Sequence, residues 1–450
     1  MRQLAYTLAC PLALAGAARA DLADEARQAL ARATDYFTTE IACHGGYLWW
    51  YSEDLSERAG EGTATPTQIW IQPPGTPSVG FAYLRAYETT KDVRYLEAAK
   101  GAAEALIWGQ LQSGGWDYRV DFDQRASRRW YYRRDVGRIS AEEAAKRRNY
   151  SVFDDNTTQS ALRLLMAVDE ATEFQDPYHE AAIYGLDFML RSQFDNGAWP
   201  QCFPLPKGYS SYYTFNDNAI NDCVQVMLDA YHTYGKQEYL DSARKGGDFI
   251  ILSQGQPPQA GWAQQYDHEL KPAWARWFEP PAMCSAVTSR NIGTLLTLYL
   301  ETGEDKYLEP IPAAVEWLDQ SKIGDDEWAR FYEPGTNKPL YVNLDREVVY
   351  EFVNIRPGYS WKGSYGVAGV VSRWQTITEM GRQRYLAQQN RQPSQRQRLA
   401  RARGLEPQVR SIIESLDEKG RWLTDGKIET QTFITNLQRL SEYLGLLNAE

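Results

Sequence analysis

The sequence predicts an all-α fold, an α/α toroid (barrel) of about six helix hairpins, and three observations carry that prediction. Segments at Tyr95, Tyr178, Tyr239 and Tyr307 each open an amphipathic stretch that ends near a Gly and a Trp, and the Tyr-to-Trp distance is nearly constant: 21 residues to Trp116, 21 to Trp199, 23 to Trp262 and 21 to Trp328. Before each Tyr stands a second, more apolar stretch, at 79–87, 157–168, 219–231 and 286–300, so each unit reads as a helix pair. Spacings of 83, 61 and 68 residues between the Tyr positions are too irregular for an open solenoid of fixed-length units, whereas a closed ring of hairpins accommodates them. An ordinary helical bundle gives no reason for a Gly-Trp loop after each outer helix.

In chain order, Arg2, an apolar run over 4–17 and Ala18-Arg19-Ala20 read as a secretory signal peptide, cleaved near Ala20, which predicts a secreted or periplasmic protein. Residues 21–450 contain no Ser/Gly linker and no low-complexity tract, so they are expected to form a single catalytic domain. A degenerate hairpin copy runs from the helical pattern of 23–36 to Gly45-Gly46-Tyr47. Another begins at Tyr385-Leu386 and, after a charged insertion, reaches Gly420-Arg421-Trp422, and a helix over 432–443 completes the set. Ile220, Val224, Met227, Leu228 and Tyr231 mark one buried face of the third inner helix. The segment 61–78 is distinctive in composition but attaches to no motif.

Parallel inner helices gather their N-termini on one rim, where unpaired N–H groups and helix dipoles favour anions. The polar clusters sit at those starts: Gln72 to Thr76, Asp154-Asp155-Asn156, Asn216-Asp217-Asn218, and Arg276 to Glu279. Asp154, Asp155, Asp217 and Glu279 converge from three helices in this reading, an oxygen-rich set suited to calcium or magnesium. Trp199, Tyr213 and their neighbours Tyr209 and Tyr212 offer flat faces to sugar rings, and Lys207 offers a cation to an acidic sugar. Arg276, Arg346 and Arg356 stand among aromatics that include Trp361, the pattern expected where uronate carboxylates are gripped while rings stack.

Other chemistries lack support. The net charge of −11 argues against a nucleic-acid partner despite the arginine run at 128–148. No apolar stretch has the roughly twenty residues needed to span a bilayer. The four His share no metal-like spacing, and no serine-hydrolase elbow, Cys-x-x-Cys pair or phosphate loop is present. Cys43, Cys202, Cys223 and Cys284 remain after cleavage, with three possible full pairings that sequence does not rank.

Several ordered blocks resemble the pectate lyases of polysaccharide lyase family 10. They are Phe153 to Arg163, Gly197 to Gln201 with Tyr213 to Asp217, Gly261 to Asp267, Lys271 to Pro281, Arg330 to Glu333, Asp345-Arg346, and Arg356 to Trp361, and together they cover roughly residues 110–365. Asp155 stands where that family usually has Asn, and Asn156-Thr157 replaces its Gly-Ala. The resemblance implies an α/α toroid that cleaves polygalacturonate or a related uronic-acid polymer by calcium-assisted β-elimination. It implies calcium or substrate-bridging roles for Asp154 and Asp217, a catalytic base in Arg276, and substrate binding by Arg346 and Arg356. Two other classes stay open on the residues alone: a toroidal glycoside hydrolase pairing Asp154 or Asp155 with Asp217 or Glu279, and a non-catalytic binder of acidic glycans.

Overall fold

The computed structural model describes residues 11–448; residues 1–10, the first half of the expected leader, lie outside the described residues. The helices in chain order are α1 (Pro11–Tyr36), α2 (Thr76–Thr90), α3 (Val93–Gly109), α4 (Ala141–Ala145), α5 (Thr157–Ala171), α6 (Tyr178–Ser192) and α7 (Ala219–Tyr234). They continue with α8 (Gln237–Leu252), α9 (Ser285–Thr302), α10 (Ile311–Gln320), α11 (Val367–Met380), α12 (Arg382–Gln389), α13 (Gln395–Glu414) and α14 (Thr430–Asn448). The fold is therefore helix-rich, with helices over all the stretches that the Tyr and Trp spacing marks as inner and outer members. Among the described residues, no helix is long and apolar enough to cross a membrane.

The chain divides into two compact units. The first comprises residues 1–106, 120–123 and 392–450. In it α2 packs on α14, and α1 on α13 and α14. A four-stranded antiparallel sheet joins early and late chain, with Trp50–Ser52 lying against both Arg58–Ala59 and Lys427–Glu429. The 61–78 segment supplies a strand (Gln68–Trp70) and the entry to α2, where Thr76 Oγ1 accepts from the backbone N–H of Tyr47 at 2.9 Å.

The second unit comprises residues 107–119 and 124–391 and holds α4 to α12. Here α5 pairs with α6, α7 with α8 and α9 with α10, while α7 also lies against α5 and α9. That flanking explains why α7 buries more than the single face its pattern predicts: Cys223, Val226 and Ala230 join Ile220, Val224, Met227 and Leu228 in the interior, and Tyr231 is only half-buried. Gly235 and Gly303, both with left-handed φ, end α7 and α9 and accept the turn that a side chain would resist.

The loops carry short antiparallel ladders that the all-α reading did not anticipate, among them Ser151–Val152 with Cys202–Phe203 and Tyr213–Thr214 with Gln265–Tyr266. Strands of two residues are too short to print an alternation on the sequence. The repeated Trp explains why the loops are fixed. Trp199, Trp262 and Trp328 are fully buried or nearly so, and their indole N–H groups donate to the carbonyls of Met189, Ile250 and Leu318 at 3.0, 2.7 and 2.6 Å, each in the preceding outer helix. Each anchor buries a gross apolar contribution of about 4–6 kcal/mol. Among the described residues, Cys43, Cys202, Cys223 and Cys284 are free thiols.

Candidate active site

Two helix entries of like sequence build the acidic half of the site. Phe153-Asp154-Asp155-Asn156 leads into α5, and Phe215-Asn216-Asp217-Asn218 leads into α7. In both, the third and fourth residues take left-handed φ: 51° and 56° at Asp155 and Asn156, 45° and 65° at Asp217 and Asn218. Asp and Asn tolerate that region better than other side-chain-bearing residues, which accounts for the composition of the turns. Asp155 and Asp217 are thus counterparts in the two repeats, whereas the family resemblance assigns the calcium or substrate-bridging roles to Asp154 and Asp217.

Neighbouring loops pin these turns. The Phe153 N–H donates to the Gln201 carbonyl at 2.9 Å, and the Phe215 and Asn216 N–H groups donate to the Gln264 carbonyl at 3.0 Å each. Gly197, at φ 94°, starts the first loop, and a Cβ there would lie 2.0 Å from the Lys245 carbonyl oxygen. The anchored Trp199 therefore aims the residue two positions later, and the Gln201 amide donates to Asp154 Oδ2 at 2.6 Å while the Tyr118 hydroxyl donates to the same oxygen at 3.2 Å.

Asp154, Asp155 and Asp217 each offer a carboxylate oxygen within 4.8 Å of the others. Burial, then the charges of Asp217 and Asp155, push the Asp154 pKa up to about 7, and burial also raises that of Asp217. Asp154 Oδ1, Asn156 Oδ1, Gln201 Oε1 and Asn216 Oδ1 are buried without a hydrogen-bond partner. Repelling carboxylates ringed by unsatisfied oxygens are the donor set of a hard cation, so these residues fit calcium or magnesium.

Arg276 faces this cluster across 3.6 Å, from Nη2 to Asp217 Oδ2. Glu279 holds it: Nε donates to Oε2 at 2.8 Å, Nη2 to Oε1 at 2.6 Å, and the Arg276 backbone N–H to Oε2 at 3.0 Å. Glu279 is 2% exposed and Arg276 42%, and the Tyr359 hydroxyl donates to Glu279 Oε1 at 3.1 Å. Hydrogen bonds and charge from Glu279 hold the Arg276 pKa above its already high ordinary value. Burial alone would raise the Glu279 pKa, but the bonds from Arg276 keep it below the usual carboxylate range. The Phe278 ring links this pair to the next cation, with the Arg276 guanidinium 5.0 Å from its centroid and the Arg356 guanidinium 3.9 Å. Arg346 lies 5.4 Å from the half-exposed Trp277 ring, which Arg356 also approaches at 6.0 Å.

Of the residues expected at the site, Asp154, Asp155, Asp217, Arg276, Glu279 and Arg356 come together, with Arg346 beside them on Trp277. Three aromatics expected to stack on sugar do not present a face. Trp199 is fully buried as a loop anchor, Trp361 is 3% exposed and donates its indole N–H to the Arg356 carbonyl at 2.8 Å, and Tyr213 is 8% exposed among Phe194, Phe249 and His268. On the loop that carries Arg276, the exposed rings among the described residues are Trp274 and Trp277. Lys207 is exposed on the loop before Tyr209 and forms no ion pair among the described residues. The arginine run is a folded excursion and is partly ion-paired: Arg133 pairs with Glu180, Arg147 with Asp135 at 2.9 Å and Arg148 with Asp117 at 2.8 Å, while Arg134 stacks on Trp108 at 3.3 Å.

Sequence reasoning missed Tyr118, Gln201, Gln264, Arg330 and Tyr359. Four of them carried a readable signal. Tyr118, Gln201, Gln264 and Arg330 each stand two residues after a repeated Trp, at 116, 199, 262 and 328, the position the anchored indole directs towards the site.

The pectic acid lyase family model matches residues 121–327 and 321–370. No curated protein matches this chain. Among solved structures, a mutant Family 10 polysaccharide lyase from Cellvibrio cellulosa in complex with trigalacturonic acid is similar, with TM-score 0.50 and 19% identity over 67% of this chain and 98% of that one. The Family 10 polysaccharide lyase from Cellvibrio cellulosa itself gives TM-score 0.50 and 19% identity over 68% of this chain and 97% of that one.

Proposed function

This chain belongs to the pectic acid lyase family and is a polysaccharide lyase, and from that premise we propose that it cleaves pectate, or a closely related uronic-acid polymer, by calcium-assisted β-elimination. The observation that carries the reading is the carboxylate cluster of Asp154, Asp155 and Asp217 set directly against the Arg276–Glu279 pair. Calcium held by the three carboxylates would neutralise the C6 carboxylate of the sugar and lower the cost of carbanion character at C5. Arg356 and Arg346 grip neighbouring carboxylates, and the exposed Trp277 receives a sugar face.

In this mechanism the C5 proton passes to a nitrogen of the neutral Arg276 guanidine, the electron pair forms the C4–C5 double bond, and the bond from C4 to the glycosidic oxygen breaks, that oxygen taking a proton from solvent water to leave as a hydroxyl. Nη1 is the guanidine nitrogen without a hydrogen bond among the described residues, and it is the one available to substrate. Glu279 opposes that role at rest, because a bidentate carboxylate favours the protonated guanidinium. The same observation favours a second reading, in which Arg276 stays charged and donates to the substrate carboxylate. A hydrolase is less well supported. Glu279 is committed to Arg276, and three aspartates sharing one small space resemble a cation cage more than an acid and base straddling a glycosidic bond.

We further propose that residues 21–450 form one α/α toroid of about six hairpins, supported by the repeated helix pairs and by the sheet that joins Trp50–Ser52 to Lys427–Glu429. A single calorimetric unfolding transition is expected; separate transitions would argue for independent domains. Secretion is proposed from the leader sequence alone, and N-terminal sequencing of the exported protein checks it at Asp21. The activity test is ultraviolet absorbance during incubation with polygalacturonate at alkaline pH, with calcium and with chelator. A rise abolished by chelator supports the reading; reducing ends without absorbance overturn it.

A further inference from the structure

A pocket of about 340 Å³ within the second unit has Asp217 in its wall, and Asp154 is not among its lining residues. Three cations line it: Arg290 from α9, Arg330 from the loop after Trp328, and Lys362 from the strand Lys362–Gly363. Asp217 is the one carboxylate in its wall. Among the described residues none of the three cations forms a salt bridge. Arg330 is half-buried, and its Nε and Nη2 reach only the Gln264 side-chain oxygen, at 3.4 and 3.3 Å. Lys362 sits over the Phe352 ring at 4.4 Å. Arg290 is exposed at the mouth and Lys362 is half-buried beside it, so the charge drawn furthest from water without a salt bridge is that of Arg330. Such a charge is normally paired, and with two further cations around the same cavity, in a chain whose net charge is −11, it marks a place for an anion. Arg330 also occupies the position two residues after a repeated Trp, whose counterparts Gln201 and Tyr118 bond Asp154 in the acidic cluster.

We propose that this pocket is a second carboxylate subsite, which holds the carboxylate of a uronate residue next along the polymer from the one that undergoes elimination. The proposal rests on the lyase reading above and deepens it. The pocket and the reacting centre share Asp217, whose Oδ2 lies 3.6 Å from Arg276, so one continuous chain of sugars can place successive carboxylates in both. Arg330 supplies a planar donor fork matched to a carboxylate, and Arg290 and Lys362 supply charge at the mouth. The subsite makes cleavage depend on polymer length and on a free, unesterified acid at that position.

The test compares the wild-type full chain with Arg290→Gln plus Lys362→Gln, and separately with Arg330→Gln, on oligogalacturonates of increasing length. The expected result is a fall of about tenfold in kcat/KM, carried by KM, on oligomers long enough to reach the pocket, and a much smaller fall on the shortest oligomer cleaved. An equal loss at every length, or no loss, overturns the proposal. The double variant keeps the test decisive if Arg330→Gln does not fold. Should the wild type release no unsaturated product, the lyase reading fails by itself, and calorimetric binding of the same oligomers then tests the pocket. Binding weakened in the double variant supports the pocket; equal binding, or no binding to either protein, overturns it. Inorganic phosphate that binds the pocket without competing against the oligomers also overturns it, since the site would then take a free anion and not the polymer.

Discussion

Replacing Glu279 by Gln removes one charge while keeping the shape of the side chain, and it asks whether Arg276 reacts as a base or as a cation. In the wild type Glu279 accepts three hydrogen bonds from Arg276 and one from Tyr359. Breaking a buried ion pair costs about 3–5 kcal/mol, but Arg276 is 42% exposed and solvent screens part of that, which leaves about 1–3 kcal/mol. At about 1.4 kcal/mol per pKa unit, the Arg276 pKa falls by roughly 1–2 units. Without the carboxylate the neutral guanidine is more abundant at any given pH. If Arg276 accepts the C5 proton, the rising alkaline limb of log kcat/KM against pH moves down by that amount. The assay is the absorbance rate on polygalacturonate across alkaline pH, with thermal melts in the same buffers. A limb that stays in place, in a variant that still folds and binds calcium, refutes the base role and leaves Arg276 as a carboxylate donor. The melts carry their own sign. The folded pKa of Arg276 is raised above its already high ordinary value, so its contribution to stability is complete through neutral and mildly alkaline pH and is lost only in strong alkali. That of Glu279 is lowered, so its contribution is present above about 4.5 and is lost as pH falls through the folded value. The Tm gap between wild type and variant should therefore be level across neutral pH and close in acid.

Further outcomes concern the cation site, its two counterpart aspartates and two tryptophans. The raised pKa of Asp154, about 7 in the ion-free protein, means that protons compete with the cation: calcium affinity measured by calorimetry should fall by up to tenfold per pH unit below about pH 7. Because the neutral acid is favoured in the fold, ion-free Tm should also decline as pH rises from about 4 towards 8, and added calcium should remove the decline; a flat ion-free profile would count against the repelling cluster. Asp155→Asn and Asp217→Asn, which alter counterpart positions in the two repeats, should each abolish the calcium-induced rise in Tm while leaving the ion-free protein as stable as the wild type or more so. Trp199→Ala should cost about 3–5 kcal/mol in denaturant unfolding and disturb calcium binding through Gln201, whereas Trp277→Ala should leave stability within about 1 kcal/mol and raise KM several-fold.

The hairpins were legible because helix periodicity and the Tyr-to-Trp interval are local properties of the chain. The same locality explains what was missed. A Trp in a loop rich in Tyr has the composition of a sugar platform, yet the indole of Trp199 finds a carbonyl in the preceding helix and turns inward. Its sequence cannot separate the two fates, since both need an aromatic beside a Gly. The two-residue ladders left no trace for a related reason: their pairing is set by partners some 50 residues away, as between Val152 and Cys202.

By itself, then, the sequence determined the helix pairs, the acidic entries to α5 and α7, and the family blocks that place Arg276 and Arg356 in order. Those features follow from periodicity, turn preference and short motifs. Only the tertiary structure decided which charges meet. Residues 154, 217, 276, 279 and 356 are separated by up to about 200 positions, and nothing in their spacing states that Glu279 holds Arg276, that Asp155 is the counterpart of Asp217, or that Arg330 lines a pocket with Gln264 and no carboxylate as its hydrogen-bond partner. Convergence of that kind depends on the path of the whole chain, because a Coulomb interaction is fixed by distance in space and the sequence records only distance along the chain.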